Sequence, residues 1–513
     1  MRTTHRRPAR RLPVTTVFVL MLLAATAFRV QAQERPGDLP SATPGESLDV
    51  RDILLDNGMR LVVLPRSGAP TVSFVARFEV GGVHERLGTT GIAHLLEHLL
   101  FKGTESIGTR DVAAERKLFT QMDALHEDIL TARATGDTVQ AAALRDRIGM
   151  LEDSARTFVE SNEFDRILTK QGAQGLNATT TTEATTYFVD LPANRVELWF
   201  ALEADRIANP VFREFYAERD VVTEERRMRI ETSPGGVLYE QHLQTAFGMH
   251  PYGVPVVGYM SDLELLRRAD VESYYRRFYG PNNAVVAIVG DVDPDAIEAL
   301  AVRYFGDLPR RDEPPAVLAV EPPQLGERRI DILWDAEPQL RIGWHVPSAI
   351  SDDGPALALL TSLLTGGRTS RLHRRLVIED RSASGIFTSL GPGSRFPQLL
   401  QIDASPVSPA TTADIEAAIY EEIERLARDG PTEDELTRVR NQIAAGSIRR
   451  IQSNIGLAFQ FVESVSLFDD WRETFRYSER LRHVTAEHVQ RLAREYLVAE
   501  NRTVATLVKR EGS

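Results

Sequence analysis

His94, Glu97 and His98 lie within TTGIAHLLEHLLFKGT, at a spacing that puts two imidazoles and a carboxylate on one side of a helix. Positions four apart stack one above the other on an α-helix, so His94 and His98 can point at a single metal ion. Zinc suits that pair, since it binds imidazole nitrogen at about 2.0–2.1 Å. Glu97 falls beside a ligand position, where it can take a proton from a water that such an ion acidifies from a pKa of about 15.7 toward about 7. The order HxxEH is the reverse of the commoner HExxH. The bland alternative is two half-buried core histidines that happen to flank a glutamate.

A hydrolytic site that keeps one position for water needs a third protein ligand. The chain has no cysteine, which excludes disulfides and thiolate ligands and leaves His, Asp or Glu. Residues 212–230, FREFYAERDVVTEERRMRI, are helix-forming and offer Glu218, Glu224 and Glu225. Glu218 and Glu225 are seven apart and share a face. Chemistry alone does not choose among the three, because a solvated helix charge is the usual fate of a glutamate in so polar a run.

The elements that must position these residues read as two similar α+β halves. Val72, Phe74, Ala76, Phe78 and Val80 alternate as a strand near the start of the first half, and RIDILWDA followed by LRIGWHV opens the second. Helical patterns follow in both. FYGPNNAVVAIVGDVD (278–293) closes the first half and EYLVAENRTVATLVKR (495–510) closes the chain, with Asn283 answering Asn501 and Val286-Ala287 answering Val504-Ala505. Each half is expected to hold a mostly antiparallel sheet with helices on one side. The expected boundaries are residues 46–306 and 329–513, joined by a linker at 307–328 whose five prolines among charges suit an extended spacer.

One segment of the first half has no counterpart in the second. Across residues 109–165, Leu118, Met122, Leu125 and Ile129, then Leu144, Ile148, Leu151, Ala155 and Phe158, recur at coiled-coil spacing, interrupted by the turn residues Ala134-Thr135-Gly136-Asp137. This predicts an inserted antiparallel helical hairpin.

Composition bounds the partners. A chain of 513 residues with 42% hydrophobic and 26% charged residues is ordinary globular protein of more than one domain. Residues 1–32 carry arginines, then the apolar run Val17–Ala25, then a small-x-small site at Val30-Gln31-Ala32, which reads as a secretory signal peptide. The run is shorter than the roughly 20 residues a span requires, so stable membrane insertion is not expected. Removing these residues deletes six Arg and no acid, taking the net charge from −13 to −19. A surface that acidic repels nucleic acid and suits an exported, periplasmic or secreted protein.

Taken together, GGVHERLGTTGIAHLLEHLLFKGT (81–104), NATTTTEATTYFVDLP (177–192), AERDVVTEERR (217–227), HPYGVPVVGYMSDLE (250–264) and the Asn-containing ends of both halves resemble the pitrilysin/insulinase family of zinc peptidases, the inverzincins. The likeness is to bacterial members of two-domain length and to the catalytic subunit of mitochondrial processing peptidase. It implies two homologous domains facing one another around a chamber, and one zinc ion per chain on His94, His98 and Glu225. In its terms Glu218 is the companion of the ligands, Glu97 the general base, and Asn177-Ala178-Thr179-Thr180 an edge strand that holds substrate backbone. The implied activity is endopeptidase hydrolysis of peptides or small unfolded proteins. His84 and His250 lack metal spacing and read as structural. Family members add an Arg and a Tyr from the second domain, in the segment matched here by GGRTSRLHRRLVIEDRSASGIF (366–387), where Val377 and Ser384 fall at those positions and Arg381 lies close by. The departure leaves room for a homologous partner subunit, in a heterodimer or homodimer, that completes the site. A non-catalytic binding subunit is the further alternative, against which the intact Glu97 argues.

Overall fold

Strands rich in Val, Ile and Leu build two sheets in the computed structural model, which describes residues 48–509. The expected signal peptide lies outside the described residues. In the first half, β1 (Arg51–Leu54), β2 (Arg60–Pro65), β3 (Thr71–Phe78), β4 (Gln174–Thr180), β5 (Thr185–Pro192) and β6 (Ala284–Gly290) form a sheet in the order β1-β2-β6-β3-β5-β4. In the second, β7 (Arg328–Trp334), β8 (Gln339–Val346), β9 (Ala383–Gly391), β10 (Gln398–Pro406) and β11 (Arg502–Lys509) are ordered β7-β11-β8-β10-β9. The orders coincide once β1 is set aside. Each sheet has one parallel pair, β2 with β6 and β7 with β11, and its other pairs are antiparallel. The protein is thus an α+β fold built twice.

What the alternation of single strands does not reveal is how the sheets are covered. One face of each packs on helices of its own half. The other face of the first sheet, with Val62, Leu64, Val75, Val285, Ala287 and Val289, is covered by Leu457, Ala458, Phe461 and Val462 from helix Asn454–Phe468 of the second half. Reciprocally, helix Pro234–Ala246 of the first half lays Leu238 on Ala505 and Leu507 of β11. The halves exchange helices, and all described residues belong to one compact unit.

Helices Val112–Ala134 and Thr138–Arg156 pack as a hairpin across the turn at 135–137, capped at their N-termini by Asp111 and Asp137. Met122, Leu125, Ile129, Leu144, Ile148 and Ala155 are buried along its seam. The proline-rich segment has no regular structure between residues 309 and 327 but is tied down: Glu321 accepts hydrogen bonds from the backbone N–H groups of Gly248, Met249 and His250. No helix among the described residues is long and apolar enough to cross a membrane.

Candidate metal centre and substrate cleft

Helix Ile92–Leu99 carries His94, Glu97 and His98 because its remaining residues anchor it: Leu95, Leu96 and Leu99 are fully buried. Its start is fixed by a turn that only glycine enters easily. Gly91 has φ +85°, and a Cβ there would stand 2.6 Å from the Val257 carbonyl oxygen. The Glu85 carboxylate accepts from the N–H groups of Gly91 and Ala93, both at 2.8 Å, satisfying free donors at the helix N-terminus.

The opposing helix, Phe215–Arg226, carries Glu218 and Glu225 and is clamped at both ends. Arg213, fully buried, donates to the carbonyls of Lys102, Thr104 and Ile107 at 2.6, 2.7 and 3.0 Å. Arg226 donates to Glu240 and to the Gly258 carbonyl. These two arginines fix the helix against the loops that flank the histidines.

The geometry then separates the three glutamates that spacing left equivalent. Glu225 Oε2 lies 3.7 Å from His94 Nε2 and 3.5 Å from His98 Nε2. Atoms about 2.0–2.1 Å from a tetrahedral ion stand about 3.3–3.4 Å apart, so these separations are close to the edges of a zinc tetrahedron. Ligand atoms of His94, His98 and Glu225 all fall within 4.8 Å of one another, and this is the only such trio among the described residues. Glu218 sits on the far side of His98, its Oε2 3.4 Å from Nδ1 and its Oε1 2.5 Å from Lys102 Nζ. Glu224 pairs with Arg227 and takes no part in the trio.

Charge favours metal binding. Burial, reinforced by His98 and Arg229, holds the His94 pKa down to about 3, so the ring is neutral and its lone pair free. Burial alone would lower His98, but the Glu218 and Glu225 carboxylates outweigh it and leave its pKa raised, the mark of a ring facing negative charge that a cation would satisfy. Two imidazole nitrogens and a carboxylate oxygen, with a second carboxylate behind one ring, are a donor set that fits zinc. His94 Nδ1 has no hydrogen-bond partner among the described residues.

Glu97 stands outside the trio. Its Oε2 accepts a 2.5 Å hydrogen bond from Thr180 Oγ1, and burial raises its pKa against the opposing pull of that bond. Asn177, Ala178, Thr179 and Thr180 belong to β4, the edge strand of its sheet, and line the same cleft of about 820 Å³ as His94, Glu97, His98 and Glu225. Asn177 Oδ1 accepts from the N–H of Ala178, so that side chain is engaged within its own strand. His84 and His250 lie elsewhere, each with Nδ1 accepting a backbone N–H. Val377 packs half-buried against the core of the second half, Ser384 is exposed on β9, and Arg381 is exposed with φ +51°.

Two contacts escaped the sequence reading although helical spacing contains them. Arg229, four residues after Glu225, donates to Glu225 Oε1 at 2.8 Å and lines the cleft. Lys102, four after His98, reaches Glu218.

The twice-built α+β fold and the cluster of His94, His98 and Glu225 accord with comparison with known proteins. The chain belongs to peptidase family M16: residues 61–119 and 150–259 match the insulinase domain of that family, and residues 266–443 match its domain described as inactive. The interval between the two insulinase segments falls within the inserted hairpin. Zinc protease PqqE of Helicobacter pylori is 27% identical over 454 residues, covering 86% of this chain and 89% of that protein. The probable mitochondrial-processing peptidase subunit beta of Arabidopsis thaliana is 22% identical over 473 residues, 90% of this chain and 78% of that one. A solved protease from Helicobacter pylori has a TM-score of 0.76 at 25% identity and covers 90% of this chain and 99% of its own. The periplasmic protease PqqL from Escherichia coli shares the fold at a TM-score of 0.66 and 17% identity, with this chain spanning 48% of its length.

Proposed function

We propose that the protein is a zinc-dependent endopeptidase acting on peptides or small unfolded proteins, with the metal held by His94, His98 and Glu225 and with Glu97 as general base. The observation that carries this reading is the convergence of that trio while a second carboxylate, Glu97 on the same helix as the histidines, is held just outside it by Thr180. A zinc ion bound there supplies a Lewis acid that acidifies water and polarises a peptide carbonyl. Glu97 takes the proton of the attacking water and returns it to the leaving amine, and a pKa raised by burial moves it toward the range where a base works at neutral pH. Thr180 binds one oxygen of Glu97 and so fixes which way the carboxylate faces. The unpaired edge of β4 gives an extended substrate a strand to join, reading backbone more than side chains. Arg229, paired with Glu225 Oε1 at 2.8 Å and largely exposed, lines the cleft as a cation beside the place where negative charge develops on an oxygen. Export by residues 1–32 would place this activity in the periplasm or outside the cell.

Glu97→Gln tests the assignment: the nearly isosteric variant keeps fold and metal and loses peptide hydrolysis by at least about 10²-fold. Turnover near the wild-type rate would show that another group is the base.

The positions of Val377 and Ser384 favour a second reading, in which a homologous subunit supplies the donors this chain's second half lacks. Peptide turnover by the isolated chain is then low and rises when that subunit is added. Full activity from the chain alone, unchanged by a homologue, would exclude it.

A further inference from the structure

Among the described residues the second half lends no side chain to the cleft, yet it meets the first half at a closely built junction beside it. The turn 181–184, between β4 and β5, abuts the loop between β9 and β10. Glu183, 8% exposed, accepts hydrogen bonds from the backbone N–H groups of Ser394 (3.1 Å) and Arg395 (2.8 Å) and from the Tyr252 hydroxyl. Thr182 Oγ1 donates to the Pro392 carbonyl at 3.1 Å. There is no slack: a Cβ on Gly393 would come within 2.2 Å of the Tyr252 oxygen and 2.7 Å of Glu183 Oε1. The buried Glu183 carboxyl is thus satisfied by donors contributed by both halves.

Three residues before Glu183 stands Thr180, whose hydroxyl holds Glu97. We propose that Glu183 is a positioning residue, bolting the turn 181–184 to Ser394–Arg395 so that Thr180 and the edge strand β4 are held in register with Glu97. Through this contact the half without metal ligands acts on the reaction. The inference rests on the peptidase reading above and adds to it a role for the second half. Its physical basis is that a hydroxyl must be held in place to orient a carboxylate, and a displacement of about 1 Å can cost on the order of 10² in rate.

The test uses the zinc-loaded full chain with an unstructured peptide, comparing Glu183→Gln, Thr180→Val and the double variant. Glutamine keeps one acceptor oxygen but turns an NH2 donor toward the backbone N–H that the other oxygen had accepted from, so the junction loosens without loss of volume. Glu183→Gln is expected to lower kcat about 10–10²-fold with KM and zinc affinity within about threefold, and the double variant to be no slower than Thr180→Val, because both changes break one linkage. Thr182→Val, a milder cut in the same junction, shifts kcat in the same direction. Multiplying effects of Glu183→Gln and Thr180→Val, or a kcat for Glu183→Gln within twofold of wild type, would overturn the proposal. Amide exchange across 178–184 provides an arm that needs no turnover: protection falls at least tenfold in Glu183→Gln, and unchanged protection defeats the junction. A wild-type chain that cleaves no peptide would instead sink the peptidase reading while the exchange result still stands.

Discussion

Glu218 is the residue whose substitution most sharply separates a metal ligand from its support. Its two oxygens face His98 Nδ1 at 3.4 Å and Lys102 Nζ at 2.5 Å, while Glu225 faces both histidine Nε2 atoms. Accepting the Nδ1 proton fixes the His98 tautomer that presents Nε2 to a metal, and such outer contacts commonly contribute 10- to 100-fold in affinity, about 1.4–2.7 kcal/mol. Glu218→Gln keeps an acceptor for Nδ1–H but loses the charge, so zinc affinity should fall about tenfold. Glu218→Ala loses both and leaves Lys102 only the more distant Glu214, at 3.4 Å, so the loss should approach a hundredfold. Glu225→Gln, which removes a ligand, should exceed either. The assay is competition for zinc against a chromophoric chelator, with folding checked by circular dichroism. If Glu218→Gln proved as damaging as Glu225→Gln, Glu218 would itself be a ligand; if Glu218→Ala bound zinc like the wild type, the argument from His98 orientation would be wrong.

Stability should fall as the medium is acidified below pH 6.5. Burial holds His84 and His126 down to about 4 and His242 to about 3, so the unfolded chain takes up protons that the folded chain refuses, costing up to about 4 kcal/mol per pH unit for the three rings together; urea titrations between pH 7 and 5, in a chain with His94 and His98 replaced by Ala, check this, and a flat profile refutes it. Phe461→Ala, in the helix that covers the outer face of the first sheet, should cost about 3–5 kcal/mol in chemical denaturation, and a loss below about 1 kcal/mol would show that face to be loosely packed. Gly91→Ala should weaken zinc binding without touching a ligand, because its Cβ would collide with the Val257 carbonyl and shift the start of the histidine helix; wild-type affinity in a folded variant would show that the turn yields.

The site was legible in the sequence to the extent that helical periodicity could carry it. His94, Glu97 and His98 sit on one helix, where spacing dictates their common face, and the same rule paired Glu218 with Glu225 while leaving their roles open. What separated them was the rotation of helix Phe215–Arg226 about its axis, which depends on Arg213 and Arg226 reaching loops more than a hundred residues and about thirty residues away in sequence. Thr180 was placed on an edge strand by the family resemblance; that its hydroxyl meets Glu97 follows from the pairing of β4 with β5 and of β5 with β3, which no single segment encodes.

The exchange of helices between the halves was hidden for a related reason, yet it explains why a half without metal ligands is retained. β6 reads AVVAIVG and is buried at every position, which a sheet covered on one side only would not require. The run announces two covered faces but not what covers the second. Helix Asn454–Phe468 lies some 170 residues further on and does so, while helix Pro234–Ala246 performs the same office for the second sheet. Taking away either half would bare an apolar sheet face of the other, so the fold of the half that carries His94, His98 and Glu225 is inseparable from that of its companion. The junction at Glu183 belongs to that shared architecture and stands three residues from Thr180, which holds Glu97, so contacts that serve packing are also in a position to govern the site.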